Sequence, residues 1–310
     1  MNKLHVTWRS RLNTLAALLC VVGCIGSMSV TLASDELHEH GRYVFYAAGC
    51  ISCHTRDQLM AGGRSVVTPF GTFYPPNATP HREYGIGGWS EEDFVRAMRE
   101  GTSPQGEHYY PAFPYTSYTR MTKRDMQALY AYLMTLPESS RAIQPHNLQW
   151  PFSIRPMMSY WKTRHFSPGE FVADPEKSTQ WNRGAYLVEA LGHCGECHTP
   201  RDNMGASLRS YYMAGTCVGP EGVRVPNITQ DRETGIGGWT YEQLLTYLGT
   251  GRRPDGVFSG SVMAEVLGTS SMRLTRDDLH SLGIYLQSLP PVHNDLDTRC
   301  ASFDDSFIYE

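Results

Sequence analysis

The sequence predicts an all-α protein in which one domain occurs twice, as short helices joined by long loops. Two observations support this. A set of motifs recurs in the same order at an offset of about 150 residues, and signals for helix starts recur with it. No alternating strand pattern persists long enough to predict a sheet. The 310 residues are enough for two domains of ordinary size.

The repeat contains five segments in each copy. They are a Gly-x-Tyr segment, a Cys-x-x-Cys-His motif, a Pro-Asn-x-Thr segment, a Gly-Ile-Gly-Gly-Trp segment and a final helix that stops near Leu-Pro. Two copies are too few for a solenoid, so we interpret the pattern as a tandem domain duplication. The segments begin at Gly41, Cys50, Pro76, Gly85 and Ala128 in the first copy, and at Gly184, Cys194, Pro226, Gly235 and Ser281 in the second.

The pattern divides the chain into five parts. A connector rich in proline and aromatic residues joins the copies, and we expect it to pack along the domain boundary rather than hang free. The last part is acidic and shows no amphipathic helix. The predicted parts are a signal peptide at 1–33, the first domain at 36–137, the connector at 138–180, the second domain at 181–291 and an acidic tail at 292–310.

Helix boundaries follow from local signals. Gly41 and Gly184 are expected to let the first helix of each copy approach the last one, near Tyr132 and Tyr285, because glycine has no side chain to obstruct the crossing. Capping-box-like helix starts occur at Ser90, Thr122, Thr240 and Thr275.

The N-terminus is typical of an export signal. Three basic residues precede an apolar stretch at 15–32, and small residues predict cleavage after Ala33. Two alternatives remain open: a lipobox at Val21–Cys24 that leaves a lipid-modified Cys24, and an uncleaved membrane anchor. All three place the globular part outside the cytoplasm, and we expect the periplasm, with any membrane attachment through this segment.

Charge narrows the choice of partners. The net charge is −4, and removal of the basic N-terminal segment would make the mature chain more acidic. An acidic protein without a basic stripe is a poor candidate for binding nucleic acid.

The cysteines agree with an oxidising compartment. Of the 8 cysteines, two lie in the N-terminal segment and four in the repeated motifs, which leaves Cys217 and Cys300. Two remaining cysteines in an exported protein favour a disulfide, and two free thiols are the alternative.

The repeated motifs Cys50-Ile-Ser-Cys53-His54 and Cys194-Gly-Glu-Cys197-His198 predict two covalently bound haem c groups. The two thiols of each motif would form thioethers on one edge of a haem, and His54 and His198 would reach the iron from one face. A zinc site or a redox dithiol is the alternative, but neither explains the histidine directly after each pair.

The second axial ligand of each iron is predicted less directly. A methionine thioether suits electron transfer because it fills the sixth position and raises the potential. In the second copy we favour Met263, in a predicted loop, with Met272 as the alternative. The matching loop of the first copy has Phe113, which cannot bind iron. There we favour Met121, then His108, then an open five-coordinate iron.

Two further repeated pairs of residues are candidates for contacts with the haem propionates. Trp89 and Trp239 could donate from their indole N–H groups, and Asn77 and Asn227 from their amides, since a buried propionate needs donors. The alternative is that these four side chains only fix their loops.

With these motifs the chain resembles bacterial periplasmic multi-haem c-type cytochromes that serve as electron-acceptor subunits of alcohol- and gluconate-type dehydrogenases. The resemblance covers about residues 36–291 and also rests on Tyr110–Tyr115 and Arg183–Cys194. It implies two class I cytochrome c domains with the histidines as proximal ligands and Met263 as a distal one. The family often has Met-Pro where this chain has Phe113-Pro114, and quinoprotein alcohol dehydrogenase subunits add a third haem domain and a membrane-binding tail.

The leading functional hypothesis is electron transfer. The protein would accept single electrons from a periplasmic dehydrogenase and pass them to a quinone, another cytochrome or an oxidase of the respiratory chain, with no catalytic residue of its own. The alternative is a di-haem enzyme, a peroxidase or sulfur-compound oxidase, with an open first iron. Phe113 motivates this alternative, but only Glu107 and His108 could then act as an acid or base nearby.

Overall fold

A computed structural model describes residues 35–301, and these residues are predominantly helical, as predicted. Shorter turns supplement the helices: a π-helical turn at Leu187–Leu191 and 3-10 turns at Arg209–Tyr211, Pro220–Gly222 and Ser271–Arg273. The helices are residues 35–47 (α1), Cys50–His54 (α2), Glu91–Glu100 (α3), Tyr115–Tyr118 (α4), Lys123–Leu133 (α5), Met157–His165 (α6), Thr179–Tyr186 (α7), Gly195–His198 (α8), Tyr241–Thr250 (α9), Ser261–Thr269 (α10), Arg276–Gln287 (α11) and Leu296–Ala301 (α12).

A small sheet departs from the all-α prediction. Strands β1 (Val66–Thr68), β2 (Gly71–Phe73) and β3 (Asn147–Leu148) pair antiparallel in the order β1-β2-β3. The register pairs Val66 with Phe73 and Gly71 with Leu148. Strands of two or three residues are too short to show an alternating pattern, which explains why the sequence did not reveal them.

Two of the predicted capping boxes are present. At the start of α3, the Ser90 hydroxyl accepts from the Asp93 backbone N–H while the Asp93 carboxylate accepts from the Ser90 backbone N–H. Thr240 and Gln243 make the same pair of bonds at the start of α9. These bonds satisfy backbone donors that a helix start leaves free.

The first and last helices of each half cross at a glycine, as expected. A Cβ on Gly41 would lie 2.8 Å from the Cβ of Tyr132, and closer still to the carbonyl oxygen of Ala128 on α5. At Gly184, a Cβ would meet the carbonyl oxygen of Ser281 on α11 in the same way. Contacts this short are possible only because glycine has no side chain at the crossing.

The two halves exchange hydrogen bonds reciprocally. Tyr43 on α1 donates its hydroxyl proton to Asp278 on α11 at 2.5 Å. Tyr186 on α7 donates to Asp125 on α5. Asp125 and Asp278 occupy the third position of their helices, but they bind the opposite half instead of closing capping boxes. One buried apolar cluster also joins the halves, and its members include Phe45, Leu129, Leu133, Leu187, Leu191, Leu282 and Leu286.

The connector contacts both halves through its helix α6. The indole N–H of Trp161 donates to the backbone carbonyl of Met204 at 2.8 Å. The ammonium group of Lys162 donates to the carbonyls of Glu100 and Gly101 at 2.7 and 2.6 Å, at the end of α3. A buried lysine that binds the last carbonyls of a helix compensates acceptors that would otherwise be unpaired.

The described part of the C-terminal segment contains a helix, which corrects the expectation that this segment has none. Asn294 is buried and donates its amide to the carbonyl of Ala214 at 2.9 Å. Helix α12 follows, and its Cys300 forms the favoured disulfide with Cys217. A helix of six residues is too short to produce a detectable apolar period.

The predicted export signal at 1–33 lies outside the described residues. Within residues 35–301, no helix is both long and apolar enough to cross a bilayer.

Candidate haem-binding sites

Each Cys-x-x-Cys-His motif lies on a single turn of helix. In the first half, Cys50–His54 is the whole of helix α2. In the second half, Cys194 is the N-cap residue of α8, and Gly195–His198 completes the turn. One turn of helix places the first and fourth residues on the same side, so it presents both thiols and the histidine together.

The two motif histidines are oriented by the same hydrogen bond. Nδ1 of His54 lies 2.8 Å from the carbonyl oxygen of Pro76, and Nδ1 of His198 lies 2.8 Å from that of Pro226. A carbonyl can only accept, so Nδ1 must carry the proton and Nε2 has the free lone pair. This is the arrangement of a metal-binding histidine whose ring is held by a neighbouring acceptor.

Burial sets the charge of the groups in both motifs. It raises the pKa of the Cys50 thiol to about 12 and that of Cys194 to about 11. It lowers the pKa values of the His54 and His198 imidazoles. Both sites therefore favour neutral thiols and neutral imidazoles. A reactive redox dithiol depends on a stabilised thiolate, so this environment does not suit it.

A cavity in the second half contains both candidate axial ligands. Its volume is about 1210 Å³, part of it open to solvent, and its wall includes Cys194, His198 and Met263. An apolar cavity with a few placed ligand atoms is suited to a large, flat prosthetic group, so the residues present fit a haem. The apolar part of the wall includes Leu187, Ile228, Ile236, Leu244, Leu248, Val266, Leu267, Leu282 and Leu286.

Met263 reaches this cavity from helix α10, not from a loop as predicted. Gly260 and Ser261, where this helix begins, are typical of loops, which concealed the helix in the sequence. The alternative residue, Met272, is 38% exposed and is not part of the cavity wall.

In the first half, Met121 is equivalent to a residue of the second half that lines the cavity there. It comes directly before the cap residue Thr122 of α5, just as Leu274 comes before the cap residue Thr275 of α11. Leu274 lines the second cavity. Met121 is completely buried in the main apolar cluster.

The other candidates for the first iron are placed differently. Phe113 follows the end of α3 at the same distance as Met263 follows the end of α9, and it packs partly buried against the apolar clusters. Nδ1 of His108 accepts a hydrogen bond from the Lys162 ammonium at 3.0 Å. His108 is thus held beside the connector.

The side-chain amides of the two asparagines in the Pro-Asn-x-Thr segments donate to protein acceptors, although we expected them to donate to haem propionates. The Asn77 amide donates to the carbonyls of Ser139 and Arg141 at 2.7 and 3.1 Å. The Asn227 amide donates to Thr234 and to the carbonyl of Val292 at 2.9 and 2.8 Å. Both amide groups are fully used within the protein, so these contacts support the alternative that the asparagines fix their loops.

The two repeated tryptophans differ from the asparagines in their contacts. Trp89 and Trp239 are partly buried, and Trp239 lines the second cavity. Within residues 35–301, neither indole N–H donates to a protein acceptor. A propionate contact therefore stays a prediction for both residues.

Sequence reasoning missed the carbonyls of Pro76 and Pro226, which orient the two histidines. A backbone acceptor has no signature of its own in a sequence. The only available signal was the repetition of a proline before each asparagine.

Comparison with known proteins agrees with this geometry. Residues 38–137 match the family model described as cytochrome c. A diheme cytochrome c-type protein of Cereibacter sphaeroides is 40% identical over 81% of this chain and 86% of its own length. The fructose dehydrogenase cytochrome subunit of Gluconobacter japonicus is 41% identical over 81% of this chain. The gluconate 2-dehydrogenase cytochrome c subunit of Pantoea cypripedii is 36% identical over 83% of it.

The chain therefore belongs to the c-type cytochromes, in the group that includes cytochrome subunits of dehydrogenases. Covalently bound haem c is the prosthetic group of this family. The chain spans 52% of the fructose dehydrogenase subunit and 60% of the gluconate 2-dehydrogenase subunit.

Proposed function

We propose that this protein is a di-haem cytochrome that carries single electrons from a periplasmic dehydrogenase to the respiratory chain. Its two halves would be tandem class I cytochrome c domains, each with one covalent haem. The observation that carries the proposal is the pair of motif turns in which His54 and His198 make the same bond to a proline carbonyl. Two independent sites with the same orienting bond are expected of a duplicated haem domain.

The residues that would hold each haem are defined by the motifs. Cys50 and Cys53 would form the thioethers of the first site, and Cys194 and Cys197 those of the second. When bound, the haem iron supplies one-electron chemistry between its ferrous and ferric states. The chain holds each proximal imidazole in one tautomer and lines the second site mainly with apolar side chains.

Methionine on the opposite face fits an electron-transfer role. Met263 shares a cavity with His198, and Met121 has the position of the cavity residue Leu274. We propose both as distal ligands, because thioether ligation closes the iron to substrates and raises its potential. Trp89 and Trp239 remain proposed donors to the propionates.

The proposed donor and compartment rest on the relatives and on the cysteines. Several relatives are named as cytochrome subunits of dehydrogenases, which supports a dehydrogenase as electron donor. The disulfide between Cys217 and Cys300 is typical of proteins outside the cytoplasm, and it agrees with the predicted export signal. The acceptor would be a quinone, another cytochrome or an oxidase.

The competing function, a peroxidase or sulfur-compound oxidase, depends on an open first iron beside Phe113. An enzyme of this kind needs a polar group free to move protons on that side. The ring nitrogen Nδ1 of His108 is already bonded to Lys162, and Glu107 is exposed to solvent. The local contacts therefore favour electron transfer.

A redox titration of the matured protein, combined with ligand binding, tests the proposal. We expect two one-electron uptakes per chain, low-spin spectra from both haems, and no carbon monoxide binding without denaturant. Carbon monoxide binding by half of the haems, together with peroxide turnover, would favour the enzyme instead. Reduction by the dehydrogenase that co-purifies with the chain would identify the donor.

A further inference from the structure

His193 lies directly before the second motif and has an unusual backbone conformation. Its φ is +39°, in the left-handed region. The matching residue before the first motif is Gly49, with a φ of +64°. Glycine adopts this region freely, whereas other residues adopt it rarely. A histidine here needs a physical reason, because the chain uses glycine for the same turn elsewhere.

The His193 side chain points toward the first motif. Its ring packs edge-on against the ring of Tyr118, with centroids 5.3 Å apart. Its Nε2 atom is 4.0 Å from the point that a Cβ on Gly49 would occupy. The Tyr118 hydroxyl in turn donates to the carbonyl of Ala48 at 2.7 Å. The ring of His193 therefore lies between the second motif and the residues directly before the first, in contact with Tyr118.

Further contacts fix the two sites next to each other. The hydroxyl of Ser52, within the first motif, is hydrogen bonded to the hydroxyl of Thr269 at 2.9 Å. Thr269 is the last residue of α10, the helix that carries Met263. Arg64 donates to the Ser52 carbonyl at 2.5 Å and forms an ion pair with Glu265 on α10. The first attachment turn is thus bound to a helix of the second site.

We propose that His193 is the positioning residue that couples the two haem sites electronically. The route runs from Cys50 along the backbone through Gly49 to Ala48, whose carbonyl accepts the hydrogen bond from Tyr118. It continues across the ring contact between Tyr118 and His193 and along the backbone to Cys194. Electron tunnelling weakens more steeply through empty space than through bonded atoms, so a ring that fills the gap raises the coupling. In each transfer one iron goes from ferrous to ferric and the other from ferric to ferrous, while His193 is unchanged.

This inference rests on the proposed relay between two haems. It also explains why a histidine, rather than a glycine, adopts the left-handed conformation at position 193. Replacement by glycine would remove the unfavourable φ, but it would remove the ring as well. Backbone conformations of this kind concentrate where a side chain must be held in a defined place.

The test uses the full-length, matured protein with His193→Gly, His193→Asn and His193→Phe. Glycine and asparagine readily adopt the left-handed conformation but have no ring, whereas phenylalanine keeps a ring at this position. Photoreduction of one haem is followed by its re-equilibration with the other, observed through the spectral difference between them. We expect severalfold slower transfer in His193→Gly and His193→Asn, near wild-type transfer in His193→Phe, and unchanged reduction potentials.

The matched control is His280→Asn, because His280 packs against Tyr241 on the surface of the second half. Wild-type rates in His193→Gly and His193→Asn would overturn the inference. So would equal slowing in His193→Phe, since a general packing defect would then be responsible. Failure of the proposed function gives a different result: the wild-type protein itself would show a single haem or no transfer between haems.

Discussion

A single hydrogen bond at each motif decides which nitrogen of the histidine is available to a metal. Because Pro76 and Pro226 present carbonyl oxygens to the Nδ1 atoms, Nε2 is left free in both rings. The cavity also distinguishes between the two candidate methionines of the second site, since its wall includes Met263 with His198 but not Met272. At the scale of the residue, the account therefore depends on which methionine completes each iron.

Replacement of the proposed distal ligands tests this dependence. Met263→Leu should remove the absorbance band of methionine–iron ligation from one haem and lower its potential, because thioether ligation raises the potential. Met121→Leu should do the same at the other haem. Met272→Leu is the matched control and should leave the spectrum unchanged. Retention of both methionine signatures in Met263→Leu would contradict the assignment.

The elements are arranged by close helix crossings and by their caps. In each half the first helix meets the last at a glycine, Gly41 or Gly184, where a Cβ would overlap the facing backbone. This crossing places the motif turn that follows the first helix. The close approach of the two helices depends on one glycine, so its contribution can be measured by replacing that glycine with a larger residue.

Gly41→Ala and Gly184→Ala should each destabilise the protein by about 1–3 kcal/mol or more, since overpacking usually costs this much. Thermal or denaturant unfolding measures the loss. Gly268→Ala is the matched control, because Gly268 lies inside α10 with no atom within 4 Å of an added Cβ. In that helix the change should stabilise by about 0.5–1 kcal/mol. Equal effects at all three positions would rule out the crossing as the cause.

Elements with strong local signals were predictable from sequence, and weak ones were not. The capping boxes at Ser90 and Thr240 are confirmed, since a cap depends on residues three positions apart. The sheet, helix α12 and the helical position of Met263 were missed. Strands of two or three residues and a six-residue helix are formed by tertiary contacts, which a local pattern does not record.

The whole molecule is a single unit because its halves share buried carboxylates. Tyr43 and Tyr186 lie at matching positions and bind Asp278 and Asp125 in the opposite half. Within the second half, Arg183 donates two further bonds to Asp278, at 2.8 and 2.7 Å, and holds this carboxylate in place. The sequence predicted the repeat but not this exchange, because the partners are more than 60 residues apart along the chain.

Removal of the exchanged hydroxyls tests whether they join the halves. Tyr43→Phe and Tyr186→Phe should each cost about 1–3 kcal/mol, since each leaves a buried carboxylate short of a donor. In the double variant, we expect one cooperative thermal transition to broaden or divide into two. Tyr241→Phe removes a hydroxyl that, among the described residues, bonds to His280 within its own half, and it should preserve the single transition. An unchanged transition in the double variant would contradict the role of this exchange.

Acid should weaken the same contact. Burial alone raises the pKa of the Asp278 carboxyl, but hydrogen bonds from Arg183 and Tyr43 outweigh burial and hold that pKa below 3.8. A carboxyl whose pKa is lower in the folded than in the unfolded chain stabilises the fold when the pH is above its unfolded-state pKa. This stabilisation is lost as the pH falls through its folded-state pKa. The stability difference between wild type and Asp278→Asn should therefore shrink below pH 3.8. A difference that is constant or grows on acidification would contradict this assignment.

At the scale of the whole molecule, the central claim is that each half holds one covalently attached haem. A pyridine haemochrome assay on matured protein, calibrated by intact mass, measures this directly. We expect two thioether-linked haems per polypeptide, and one in a variant with Cys194→Ser and Cys197→Ser. Fewer than two in the wild-type protein would contradict the account.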